Sequence, residues 1–172
     1  LQWESLRNVE YLTDGGNNWI HTAVLQGKSV VVKTLKPECQ DVALAINEIE
    51  GELEIHSRLD HPNIVDIYDV NLECCFIAME FVDGGTLRDV LNTYKTLSLE
   101  QARAVIVQLC KGLQVAHNAG VLHRDIKPRN LMFRWLPSDK LQVKLLDFGL
   151  AKFSTKPEKQ TKAYEDTIMG SS

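Results

Sequence analysis

No apolar run in these 172 residues approaches the roughly 20 needed to cross a bilayer. The opening Leu1-Gln2-Trp3-Glu4-Ser5 lacks the basic head and apolar stretch of a secretory leader. It also lacks an initiator Met, so the expectation is a piece of a longer protein. Cysteine is scarce: Cys39, Cys74, Cys75 and Cys110 form no Cys-x-x-Cys pair and no zinc spacing. Reduced thiols in a cytoplasmic or nuclear setting are therefore expected. Neither sign of charge dominates, and a net charge of -4 gives no reason to expect nucleic acid or an anionic membrane as partner. There is no internal repeat. What remains is a globular composition, and a length that suits one domain with a true core.

Hydrophobic patterning divides the chain in two. Residues 5–35 read as strands, with a turn at Gly27-Lys28 and the β-branched run Val30-Val31-Val32. A helical period over 42–59 carries Ile46, Ile49 and Leu53 on one face, and Gly51 weakens it by about 1 kcal/mol relative to Ala. His61-Pro62-Asn63 breaks the chain before strand-like runs at 64–72 and 75–81. Asp83-Gly84-Gly85 then reads as a flexible link. Thr86 is placed to cap a short helix, and Ser98 with Gln101 to form a capping box for a long one. That long helix presents Ala102, Val105, Ile106, Leu109, Leu113 and Ala116 as its buried face and ends at Gly120. Short strands are expected at 130–133 and 141–146, and an exposed polar loop from Ser154 to Ser172.

The stretch His123-Arg124-Asp125-Ile126-Lys127-Pro128-Arg129-Asn130, followed by Asp147-Phe148-Gly149, carries the chemistry. Either motif alone arises by chance; in this order, after a long helix, they resemble the protein kinase family. The Lys-Pro after Asp125 resembles Ser/Thr kinases rather than tyrosine kinases. Asp83-Gly84-Gly85-Thr86-Leu87 and the Gly-Ser ending resemble the tyrosine-kinase-like group. The resemblance implies an α+β, two-lobe fold: a small antiparallel-sheet lobe with one helix and the hinge over 1–82, then an incomplete helical lobe over 83–172. An Ala-Pro-Glu segment and further helices would follow Ser172. It implies transfer of the ATP γ-phosphate to Ser or Thr of protein substrates, a reaction that depends on positioning and charge neutralisation. Asp125 matches the residue that takes the substrate hydroxyl proton, and Lys127 the one that neutralises the migrating phosphoryl group. Asn130 and Asp147 match the Mg²⁺ ligands, hard oxygen donors for a hard cation. His123 and Phe148 match packing residues that align the lobes. Arg124 matches an arginine that pairs with a phosphorylated loop residue; Thr161, Tyr164 and Thr167 are candidates, and Thr167 fits best.

The nucleotide half is read the same way. Lys33 resembles the phosphate-binding lysine. Its partner is one of Glu48, Glu50, Glu52 and Glu54; the interval to His61-Pro62-Asn63 favours Glu52, with Glu48 one turn earlier. Met79-Glu80-Phe81-Val82 resembles the hinge, where the backbone of Glu80 and Val82 would hold adenine and Met79 stands behind it. Ile20 and Val31 above, and Met132 below, would sandwich the base.

Three departures matter. Of the family's loop glycines only Gly15 is in place within residues 12–20; Thr13 and Asn18 replace the others, and Asp14 adds negative charge, so weakened nucleotide binding is expected. Val31 stands where Ala is usual. His56 stands where an apolar residue is usual, and a backbone partner for its ring is expected. Two rival classes are a catalytically impaired, kinase-like interaction module and a small-molecule kinase on a related fold.

Overall fold

The computed structural model describes residues 2–15, 18–38, 41–137 and 140–153. A 3-10 turn at Trp3–Ser5 leads into strands β1 (Leu6–Asp14), β2 (Asn18–Leu25) and β3 (Lys28–Leu35). Helix α1 (Val42–His56) follows, then β4 (Ile67–Asn71) and β5 (Phe76–Glu80). These five strands form one antiparallel sheet in the order β1-β2-β3-β5-β4. Beyond it lie α2 (Leu87–Tyr94), α3 (Leu99–Asn118), β6 (Val121–Leu122), a 3-10 turn at Pro128–Asn130, β7 (Leu131–Leu136), β8 (Lys140–Leu145) and β9 (Lys152–Phe153). β6 pairs with β9 and β7 with β8. The architecture is the expected α+β one.

Strand alternation sorts the sheet's two faces. Val30 and Val32 point to one, where they are buried with Leu6, Ala23, Leu25, Phe76 and Ala78. The Trp3 ring stands edge-on to Phe76 at 5.6 Å. The register pairs Ile20 with Lys33, Val31 with Met79 and Lys33 with Ile77, so these residues share the other face. α1 packs on that face through Ile49 against Ile77. The end of α1 also reaches the helical part: Ile55 and Leu59 share one core with Ile64, Val105, Ala116, Leu131, Phe133, Val143, Leu145 and Phe148. Backbone bonds weld the chain after α1 to β8, Val65 N–H to the Leu145 carbonyl at 3.0 Å and Leu145 N–H to that of Asn63 at 2.9 Å.

The expected Ser98–Gln101 capping box forms, and the Thr86 cap proves to be a box as well, completed by Asp89. Two expectations are corrected. Ile106 does not lie on the buried face of α3 but is 57% exposed. The helix rests on a narrow stripe of Val105, Gly112 and Ala116, and one residue further is about 100° round the axis. The Asp83-Gly84-Gly85 link is not loose. Gly84 N–H donates to the Phe133 carbonyl at 2.8 Å and Phe133 N–H to that of Gly85 at 2.9 Å. A Cβ on Gly84 would lie 2.3 Å from the Phe133 carbonyl oxygen, so the close approach of link and strand requires glycine.

Candidate active site

Three elements deliver one cluster of charge. Lys33 near the end of β3 and Glu52 on α1 meet at 3.3 Å, Nζ to Oε2. Glu52, not Glu48, is the residue that α1 turns toward the sheet. The same Nζ lies 4.0 Å from Oδ1 of Asp147. Burial alone would push the Lys33 ammonium down, but the carboxylates of Glu52, Asp147 and Glu48 more than offset it and raise it above the usual lysine value. Glu52 is pushed up by its burial, which the single ammonium only partly opposes while Asp147 and Glu48 add like charge. Two carboxylates, those of Glu52 and Asp147, thus lie within 4.0 Å of this one ammonium.

The second cluster is the loop after β6. Lys127 Nζ bonds Asp125 Oδ2. The Asn130 amide donates to the Asp125 carbonyl at 2.9 Å and to its Oδ2 at 3.0 Å. The bond from Lys127 does most to hold the Asp125 carboxyl below the usual carboxylate range, with Asn130 assisting. With both amide hydrogens spent on Asp125, the Asn130 Oδ1 has no donor among the described residues and is chemically able to serve as an oxygen ligand. Leu146 N–H donates to the Asn130 carbonyl at 2.9 Å, which sets Asp147 beside it. Arg124 and Asp147 bracket this region at φ 62° and 61°, positive values that are costly outside glycine and recur at functional sites. Among the described residues no group of three or more His, Cys, Asp or Glu is arranged to hold a metal. Asp147 and Asn130 nevertheless fit Mg²⁺, which takes few protein oxygens and fills its shell with phosphate and water.

A ring stack joins the clusters. Phe148 is fully buried between His123 and His56, at 4.6 and 5.0 Å between centroids. Nδ1 of His123 accepts the Asp125 N–H and its Nε2 donates to the Leu146 carbonyl at 2.9 Å, an arrangement that needs the neutral ring. Burial lowers the His123 pKa in agreement. His56 departs from expectation: its Nε2 is buried with no hydrogen-bond partner. The ring packs instead against Phe148 in a T-shaped arrangement. Burial does most to lower its pKa from 6.5 to about 4, and the nearness of two other basic groups, His123 and the Lys33 ammonium, works in the same direction.

The remaining residues are placed as follows. Gly15 and Asn18 close a tight hairpin, exchanging N–H to carbonyl bonds of 2.9 and 3.3 Å, so Thr13 and Asn18 belong to strands rather than to an open loop. Asp14 lies 3.6 Å from Lys36 Nζ, which offsets part of the negative charge it brings. Ile20, Val31 and Met79 share the Lys33 face of the sheet. Met132 bridges Thr86. Arg124 donates from Nε to the Leu150 carbonyl at 2.9 Å. Thr161, Tyr164 and Thr167 lie outside the described residues. Sequence reasoning missed the side chain of Glu80. It is buried and bonded by Lys144 Nζ at 2.8 Å and by Arg134 Nη1. A lone lysine inside the apolar run 141–146 was the available signal for Lys144.

A small antiparallel sheet whose lysine meets a helix glutamate is set over a helical part that presents Asp125 and Asn130 from one loop and Asp147 from the turn after β8, the two-lobe arrangement of a kinase fold. The family model described as protein kinase domain matches residues 9–171, and the chain belongs to that family. It is 31% identical over 95% of its length to a protein of Clostridium perfringens named a probable serine/threonine-protein kinase. It is 32% identical over 80% of its length to the serine/threonine-protein kinase PknB of Mycobacterium leprae. The chain spans 23% of the length of each of these two relatives.

Proposed function

We propose that the protein is an ATP-dependent serine/threonine kinase acting on protein substrates. The observation that carries this reading is Lys33 held between Glu52 and Asp147, with Asp125, Lys127 and Asn130 gathered in one adjoining loop. Lys33, steadied by Glu52, binds phosphate oxygens. Asp147 and Asn130 hold Mg²⁺, which when bound neutralises charge on the phosphates. Asp125, kept ionised by Lys127 and Asn130, accepts the hydrogen bond of a substrate hydroxyl and takes its proton. Lys127 faces the charge of the group in flight. Gly15, Ile20, Val31, Met79 and Met132 enclose the nucleotide, and the backbone of Glu80 and Val82 holds adenine. Arg124 meets a phosphorylated Thr167. Among the described residues no helix is long and apolar enough to cross a membrane. A cytoplasmic setting belongs to the same reading and rests on the scarcity and spacing of cysteine in the sequence. The test is phosphotransfer from ATP by the full-length protein to a mixed protein substrate, with phosphoamino-acid analysis. Phosphoserine and phosphothreonine without phosphotyrosine are expected; phosphotyrosine alone overturns the assignment.

A further inference from the structure

Two cations with no part in the chemistry above converge on the segment between the lobes. Lys144 on β8, 4% exposed, places Nζ 2.8 Å from Glu80 Oε2 and 3.0 Å from the Ile64 carbonyl. Arg134 on β7 bonds Glu80 Oε1 through Nη1 and the Phe81 carbonyl through Nη2 at 2.5 Å. Asp66 N–H adds a further bond to Glu80 Oε2 at 3.2 Å. A buried carboxylate is tolerated only when its charge and lone pairs are met, and here they are.

The bond to Phe81 has a directional consequence. In a trans peptide the carbonyl and the next N–H point to opposite sides, and the described chain holds no cis bond. Arg134 draws the Phe81 carbonyl toward β7, so the Val82 N–H is turned away from β7. The neighbouring Glu80 and Gly84 N–H groups are spent on Asp66 and Phe133. The Val82 N–H has no acceptor among the described residues, although Val82 is 3% exposed. A buried donor without an acceptor is uncommon and marks a place for a ligand acceptor.

We infer that Arg134 is a positioning residue for nucleotide binding: its guanidinium, spanning the Glu80 carboxylate and the Phe81 carbonyl, fixes the linker so that the Val82 N–H is presented to the adenine ring. The inference rests on the nucleotide reading given above. Arginine suits the task because its planar fork carries separate donors for the two oxygens, whereas lysine is a point charge with no such geometry.

The experiment measures dissociation constants of the full-length protein for ATP, adenosine and Mg²⁺-tripolyphosphate, together with kcat, for wild type, R134M and R134K. R134M is expected to weaken ATP and adenosine alike by about tenfold, leaving tripolyphosphate affinity and kcat within about twofold. R134K moves the same way by less. A folded R134M with wild-type affinity for adenosine overturns the inference, as does equal loss for adenosine and tripolyphosphate, which marks a purely structural role. Should R134M fail to fold, an unmoved adenosine affinity in R134K overturns it. Wild-type protein that binds neither ATP nor adenosine overturns the nucleotide reading, and this inference with it.

Discussion

Lys33 Nζ stands 3.3 Å from Glu52 Oε2 and 4.0 Å from Asp147 Oδ1, so one ammonium ties the sheet, α1 and the turn after β8 into a single electrostatic unit. Glu52 is buried and Asp147 is exposed. The lysine thus joins a fixed anchor to a carboxylate left open to ligands. On the proposed function, truncating the lysine removes the positive charge that would bind phosphate while leaving the apolar faces of sheet and helix intact. Lys33→Met is expected to lower phosphotransfer by roughly 10²- to 10³-fold. Circular dichroism should stay at wild-type values; retained activity in the folded variant would contradict the assignment.

His56 predicts an acid limb in stability. Its pKa falls from 6.5 in the unfolded chain to about 4 in the fold, so between these values the unfolded state binds the proton and the folded state does not. The neutral ring's contribution is fully present above pH 6.5, declines as pH falls, and is lost by pH 4. The size is about 3 kcal/mol at most. His56→Leu keeps an apolar contact on Phe148 and removes the unpartnered nitrogen. Urea unfolding between pH 7 and 4 should therefore show a shallower loss in the variant. Parallel curves for the two proteins would contradict this account.

Two glycines predict opposite signs. A Cβ at Gly84 meets the Phe133 carbonyl oxygen at 2.3 Å, whereas one at Gly51, inside α1, meets nothing within 4 Å. Gly84→Ala is expected to destabilise by about 1–3 kcal/mol because backbone has to shift. Gly51→Ala should stabilise by up to about 1 kcal/mol through helix propensity. Thermal melts of the two variants check both signs at once.

Asn130 predicts a metal dependence. Its amide hydrogens hold Asp125, and its Oδ1 is left for a cation. Asn130→Ala is expected to raise the Mg²⁺ concentration for half-maximal activity by about tenfold or more, and to lower kcat as Asp125 loses an anchor. A Mg²⁺ titration that superimposes on wild type would remove Asn130 from the ligand set.

What the sequence disclosed and what it hid follow from the range of the interactions. The Thr86 cap and the Ser98–Gln101 capping box are local, spanning three residues, and were legible; the return bond from Asp89 that completes a box at Thr86 was not read. The Lys33–Glu52 pair was legible in part: the family's interval to His61-Pro62-Asn63 favoured Glu52 over the other acids, with Glu48 left as the alternative that the structure removes. Ile106 was misplaced because a helical period gives the apolar face but not which part of it meets a neighbour. The Arg134–Glu80 contact joins residues 54 apart across two lobes, and nothing in the letters marks an arginine as facing the linker. Gly84 looked like a hinge because glycine signals freedom; only the approach of β7 shows that it serves close packing. The His56 ring, expected to meet a backbone group, instead packs against Phe148, a contact between residues far apart in the chain that no local pattern reveals.

The central claim is phosphotransfer, and the most direct measurement is incorporation of γ-phosphate from labelled ATP by the full-length protein, beside the Asp147→Asn variant. Mg²⁺-dependent labelling of Ser or Thr that disappears in Asp147→Asn, with the variant still folded, is the predicted result. A folded full-length protein that binds partners yet transfers no phosphate, or labels equally well without the Asp147 carboxylate, would contradict it and leave a kinase-like interaction module in its place.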